Sequence, residues 1–243
     1  MIRLTAKQDF RCFKTGYTYE LDLRPGEITF MVGDNGCGKS SIMLALRAKL
    51  DSLAESDNKR SDGMKKMTLM QHYLDVKTGF EIEGFDFDKG FFRDTVVDSP
   101  TSFINSATAF GLVMGGGLTA QSRSAGQNNI DQMVRFISDI INTLGPESND
   151  RIIIGIDELD DSLSIRSQLR QIHILNELLL KRYPNASILY ISHSIITALG
   201  TTAYPEIPCR CYDMKNNRYC DPVDYFEQET GFTIKLKEID EKP

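Results

Sequence analysis

Gly33-Asp34-Asn35-Gly36-Cys37-Gly38-Lys39-Ser40 is a complete GxxxxGKS stretch. Before it, Glu27-Ile28-Thr29-Phe30-Met31-Val32 is apolar and β-prone. After it, Ser41 to Leu50 carries helical periodicity. Strand, glycine loop and helix is the order in which a chain cradles a phosphate group. The glycines let the backbone curl until successive N–H groups point at one anion, and the helix N-terminus adds its positive dipole end. Lys39 is then placed to meet the β- and γ-phosphates as a point charge, and Ser40 to set its hydroxyl on Mg²⁺. Gly33, Asp34, Asn35, Gly36, Cys37, Gly38 and Ser41 complete the cradle. The expected ligand is ATP with Mg²⁺. The expected fold is α/β, a phosphate-loop domain with a mostly parallel central sheet.

Composition narrows the class. The chain has 243 residues, 41% hydrophobic and 26% charged, as in a globular protein. No apolar run approaches the roughly 18 residues of a membrane span, and the N-terminus has no signal-peptide core. A cytoplasmic location without direct membrane insertion is expected. The net charge of −6 gives no support to a free-standing nucleic-acid binder, which usually shows a basic excess. Cys12, Cys37, Cys209, Cys211 and Cys220 include no CxxC pair. Reduced thiols are the default in the cytoplasm, and a metal site on the last three lacks an identifiable fourth ligand.

Residues 1–32 alternate apolar and polar side chains in short runs, as in Tyr17-Thr18-Tyr19-Glu20-Leu21-Asp22-Leu23. An antiparallel β layer is expected there, leading into the strand before the glycine loop. Residues 51–66 read as a helix end and a polar loop, and 67–97 as two or three strands. The glycine-rich stretch 100–127 reads as a loop, and 128–144 resumes helical spacing. Arg151-Ile152-Ile153-Ile154-Gly155-Ile156 and Ser187-Ile188-Leu189-Tyr190-Ile191-Ser192 are continuous apolar runs, the mark of buried parallel strands. Residues 165–183 between them read as helix. One domain over 1–243 is expected, with 1–60 and 145–243 as the nucleotide-binding core and 61–144 as a small inserted lobe.

The first apolar run ends in Asp157-Glu158. After a phosphate loop, two acids at a strand end are a second nucleotide motif. Asp157 suits Mg²⁺ and Glu158 suits a base that polarises the attacking water. The second run ends in His193, where ligands of open α/β sheets bind. A histidine there can hydrogen-bond a γ-phosphate and sense its loss. In this order the chain resembles the ABC-type ATPases: phosphate loop, signature, acidic pair, D-loop, switch histidine. The resemblance runs over nearly the full length. It makes Arg123-Ser124-Ala125-Gly126-Gln127 the signature, with Ser124, Gly126 and Gln127 toward phosphate and Arg123 and Ala125 departing from LSGGQ. It makes Leu159 to Ser164 the D-loop, with Ser164 where an aspartate is common, and Gln71 the glutamine that couples metal and partner.

Within that resemblance, Asp9-Phe10-Arg11-Cys12-Phe13 is similar to the opening of RecF- and SMC-type repair ATPases, which implies Arg11 near the nucleotide. The long coiled coil of that group has no room in this chain. A stand-alone head is implied: a homodimer closed by ATP that gates a separate partner or effector, in DNA repair or in prokaryotic or phage defence. The alternatives are a transporter's ATP-binding subunit, with Tyr17 or Tyr19 stacking adenine, and a scaffold that binds ATP without hydrolysing it. The missing proline after Glu158, the divergent signature and its long spacing to the acidic pair point away from the transporter.

Overall fold

The computed structural model describes residues 1–55, 73, 75–93, 125–146, 148–157, 163–192, 195–201 and 206–233. Glu158, His193, Ser124 and Gln71 lie outside the described residues, as do most of the expected glycine-rich loop and D-loop.

Two sheets organise the molecule. Strands β1 (Ile2–Ala6), β2 (Thr18–Leu21) and β4 (Phe80–Glu83) form an antiparallel layer in the order β2-β1-β4. The larger sheet runs β5-β6-β7-β3-β8-β9, with β3 at Ile28–Val32, β5 at Lys89–Arg93, β6 at Ile152–Asp157, β7 at Ala186–Ile191, β8 at Cys209–Asp213 and β9 at Arg218–Cys220. Every pairing in it is parallel except β8 with β9. The α/β reading with a separate antiparallel layer therefore holds. Within the expected insertion, β4 and β5 each complete one of the two sheets.

Strands β3, β6 and β7 are buried throughout, which explains their unbroken apolar runs. Alternate residues serve two cores. Ile152, Ile154 and Ile156 pack with helix α2 (Ala125–Leu144) and helix α3 (Ile165–Leu175) on one face. Ile153, Leu189, Ile191 and Met31 pack with helix α1 (Lys39–Glu55) and the N-terminal layer on the other. Full burial of each such isoleucine contributes about 1.5–3 kcal/mol. Gly155 is the exception on the α1 face. A Cβ there would come within 2.5 Å of Phe92 and 2.9 Å of Met43, so the missing side chain is what lets α1 lie close.

Helix α3 starts on Ser164, whose side chain accepts a hydrogen bond from the Ser167 N–H. That is the helix-capping role for which serine is suited. The residue that departs from the common D-loop aspartate thus begins a helix. The helix reads on from α3 into a π segment, Asn176–Leu180, and stops before the expected boundary. Helices α4 (Ile195–Thr201) and α5 (Pro222–Thr230) complete the described elements.

Candidate functional site

The glycine loop joins β3 to α1, at the C-terminal edge of the central sheet. Its glycines adopt backbone shapes that side chains resist: φ is +139° at Gly33, +81° at Gly36 and +102° at Gly38. Lys39 is buried, and its ammonium donates to the Gly33 carbonyl at 2.8 Å and the Asp34 carbonyl at 3.1 Å. The loop is thereby braced by its own lysine. The helical bond from the Ile42 N–H to the Gly38 carbonyl, 3.0 Å, sets the start of α1. Helical geometry leaves the N–H groups of Lys39, Ser40 and Ser41 without a carbonyl four residues back inside the helix. Those donors, the dipole and the lysine make an anion cradle.

Strand register gathers the other groups. Asp157 pairs with Ile191, and Ile191 with Met31, so the three stand in one row across β6, β7 and β3. Two steps between neighbouring strands place Asp157 about 10 Å from the strand that feeds the glycine loop. Alternation along β6 turns Asp157 toward the α1 face, as it turns Ile153. Its carboxylate is fully buried. Glu158 is next in sequence to Asp157, and His193 follows Ser192 one residue beyond the β7 row. Asp157 and Ser192 thus bring the described chain to the edge that carries the glycine loop.

Oxygen donors and a cradle of this shape fit ATP with Mg²⁺. Ser40 lies in the first turn of α1 and Asp157 on the face that α1 covers; a hydroxyl and a carboxylate are oxygen donors of the kind a hard divalent ion takes. Gly126 and Gln127 fall in the first turn of α2, so the expected signature runs into a helix N-terminus. Arg11 is exposed at the tip of a tight turn, where Phe10 and Phe13 bridge each other and Arg11 has φ +50°. That is a backbone strain for a non-glycine residue. Of the two tyrosines, Tyr19 is buried against Phe13, so only Tyr17, 44% exposed, has a face to offer a base.

Two supports of the loop have no local signature in sequence. The Phe13 ring lies under Gly38, where an added Cβ would sit 2.3 Å from the ring and 2.9 Å from Cys12 Sγ. Phe13 is itself locked edge-on to Phe80 and Tyr19. Partial desolvation beside the loop pushes the Cys12 thiol upward. On the opposite side, the turn after β8 presses Met214 against Gly33, and the buried Asp213 shapes that turn by accepting from the Lys215 N–H at 2.9 Å. Gly38→Ala is therefore expected to cost about 2 kcal/mol or more, from a strained φ and an overpacked ring together. Urea unfolding of the two proteins measures it.

A family model described as AAA domain matches residues 8–190. None of the curated proteins compared with the chain matches it. Among solved structures, cbiO1 from Clostridium perfringens, part of the ABC transporter complex cbiONQ, aligns at 14% identity and a TM-score of 0.45, over 94% of this chain and 91% of that one. None of the described helices is long and apolar enough to cross a membrane.

Proposed function

The chain belongs to the AAA domain family, and on that footing we propose that it is an ATP-hydrolysing head of the ABC type, in the RecF/SMC-like branch. The observation that carries this reading is the single row of Asp157, Ile191 and Met31, ending beside the glycine loop. Gly33 to Ser41 bind the phosphates. Ser40 and Asp157 hold Mg²⁺, with Gln71 as a further ligand. Bound MgATP supplies the reactive phosphoryl group. Glu158 accepts a proton from the attacking water, and His193 hydrogen-bonds the terminal phosphate. Lys39 exchanges its two carbonyl partners for phosphate oxygens, a stronger charge-assisted contact.

In this reading two copies of the single domain close face to face, with Ser124, Gly126 and Gln127 of one copy opposite the phosphate loop of the other. The helix N-terminus at Ala125 supports an anion contact there. Ile165 and Ile196, exposed in the first turns of α3 and α4 at the sheet edge, support the pairing in a different way, as apolar surface that a second copy would cover. The closed pair gates a separate effector, in DNA repair or in prokaryotic or phage defence, a role carried over from the resemblance of the motifs. Light scattering coupled to size exclusion tests the assembly. Glu158→Gln is expected to dimerise with MgATP, and Ser124→Arg in that background to stay monomeric while still binding nucleotide. A Glu158→Gln chain that stays monomeric with saturating ATP overturns the assembly. A dimer formed without ATP would point to a different interface.

A further inference from the structure

Helix α3 turns two carboxamides inward. Gln168 and Gln171 are buried on the same face as Ile172 and Leu175. A buried amide is costly unless its hydrogen bonds are made, so their partners are informative. Gln168 Nε2 donates to the Leu163 carbonyl at 3.2 Å, and Gln168 Oε1 accepts from Thr197 Oγ1 at 2.9 Å. Thr197 is fully buried in the first turn of α4. One turn along, Gln171 Oε1 accepts from Tyr190 Oη at 3.4 Å, and Tyr190 in β7 packs on Phe30 of β3, with ring centroids 5.5 Å apart.

These bonds join residues that flank Glu158 and His193 in sequence. Leu163 stands five residues after Glu158, Thr197 four after His193 and Tyr190 three before it. We infer that Gln168 is a positioning residue: it ties the start of α3, which follows Glu158 in sequence, to the first turn of α4, which follows His193, and turnover depends on that tie. The inference rests on the hydrolytic reading above. An apolar pair would fill the same space between α3 and α4. Hydrogen bonds add direction and a fixed distance, which packing alone does not enforce. The tie therefore serves alignment, and its loss reads out in turnover before it reads out in folding.

Gln168→Met with Thr197→Val removes both sides of the Gln168–Thr197 hydrogen bond while keeping their volumes close, which costs folding less than orphaning either partner alone. Leu163 is half-exposed, so water can take over at its carbonyl. The double variant is expected to melt near the wild type and to bind ATP within about twofold, yet to release phosphate roughly tenfold more slowly at saturating MgATP. Thr197→Ser keeps the hydroxyl and should hold the wild-type kcat, whereas Thr197→Val should not. A folded double variant with wild-type kcat overturns the inference alone. A wild type that binds ATP without turnover overturns the hydrolytic reading and this inference with it. If the double variant does not fold, equal kcat for Thr197→Ser and Thr197→Val overturns the inference, and a fall in Thr197→Val alone supports it.

Discussion

Glu158→Gln is expected to slow steady-state phosphate release from MgATP roughly a hundredfold or more, while ATP affinity stays within about threefold. The change keeps the size of the side chain and its hydrogen-bonding reach. It removes only the basic oxygen that takes a proton from water. The neighbouring Asp157 is untouched, fully buried, and set in its row by six residue pairs between β6 and β7. Metal and nucleotide binding should therefore survive. Single-turnover and steady-state assays on the same preparations separate the two effects. A wild type no faster than the variant would instead fit a scaffold that holds ATP without consuming it.

Lys39→Ala is expected to weaken ATP binding roughly ten- to a hundredfold, the equivalent of a charge-assisted contact of about 1.5–3 kcal/mol. The consequence is visible in stability. At a nucleotide concentration a hundred times the dissociation constant, ATP stabilises the wild type by about 2.7 kcal/mol; the weakened variant retains about 0.4–1.4 kcal/mol of that. Without nucleotide a different effect shows. Lys39 bridges the Gly33 and Asp34 carbonyls, so the variant's loop loses its brace even in the free protein. Melting curves with and without MgATP distinguish the two. The shift on adding ATP reports the ligand contact, and the difference without ATP reports the brace.

The parts of this site that could be read from sequence are the local ones. Gly33 to Ser40 is contiguous, and its strand and helix neighbours declare themselves by periodicity. β6 and β7 are legible because burial on both faces leaves an unbroken apolar run. What supports the loop is not local. Phe13 meets Gly38 and Met214 meets Gly33 only after the chain has folded, and each is an ordinary apolar residue in its own neighbourhood. Tyr17 and Tyr19 look alike in sequence, yet Tyr19 lies within β2 and is buried, whereas Tyr17 lies just before the strand and is exposed. The π segment after α3 adds a residue to one turn without changing the apolar spacing that betrays a helix. Gln168 and Thr197 are of polar types that are mostly exposed in folded proteins. Only the packing of α3 on α4 turns them inward.

Whether Gly33 to Ser41 hold ATP is decided most directly by calorimetric titration of the wild-type chain with MgATP beside Lys39→Ala. Saturable binding of one ATP per chain is expected, weakened roughly ten- to a hundredfold by the substitution. Absence of binding by a folded wild type, or equal affinity in the two proteins, would contradict the assignment of the site.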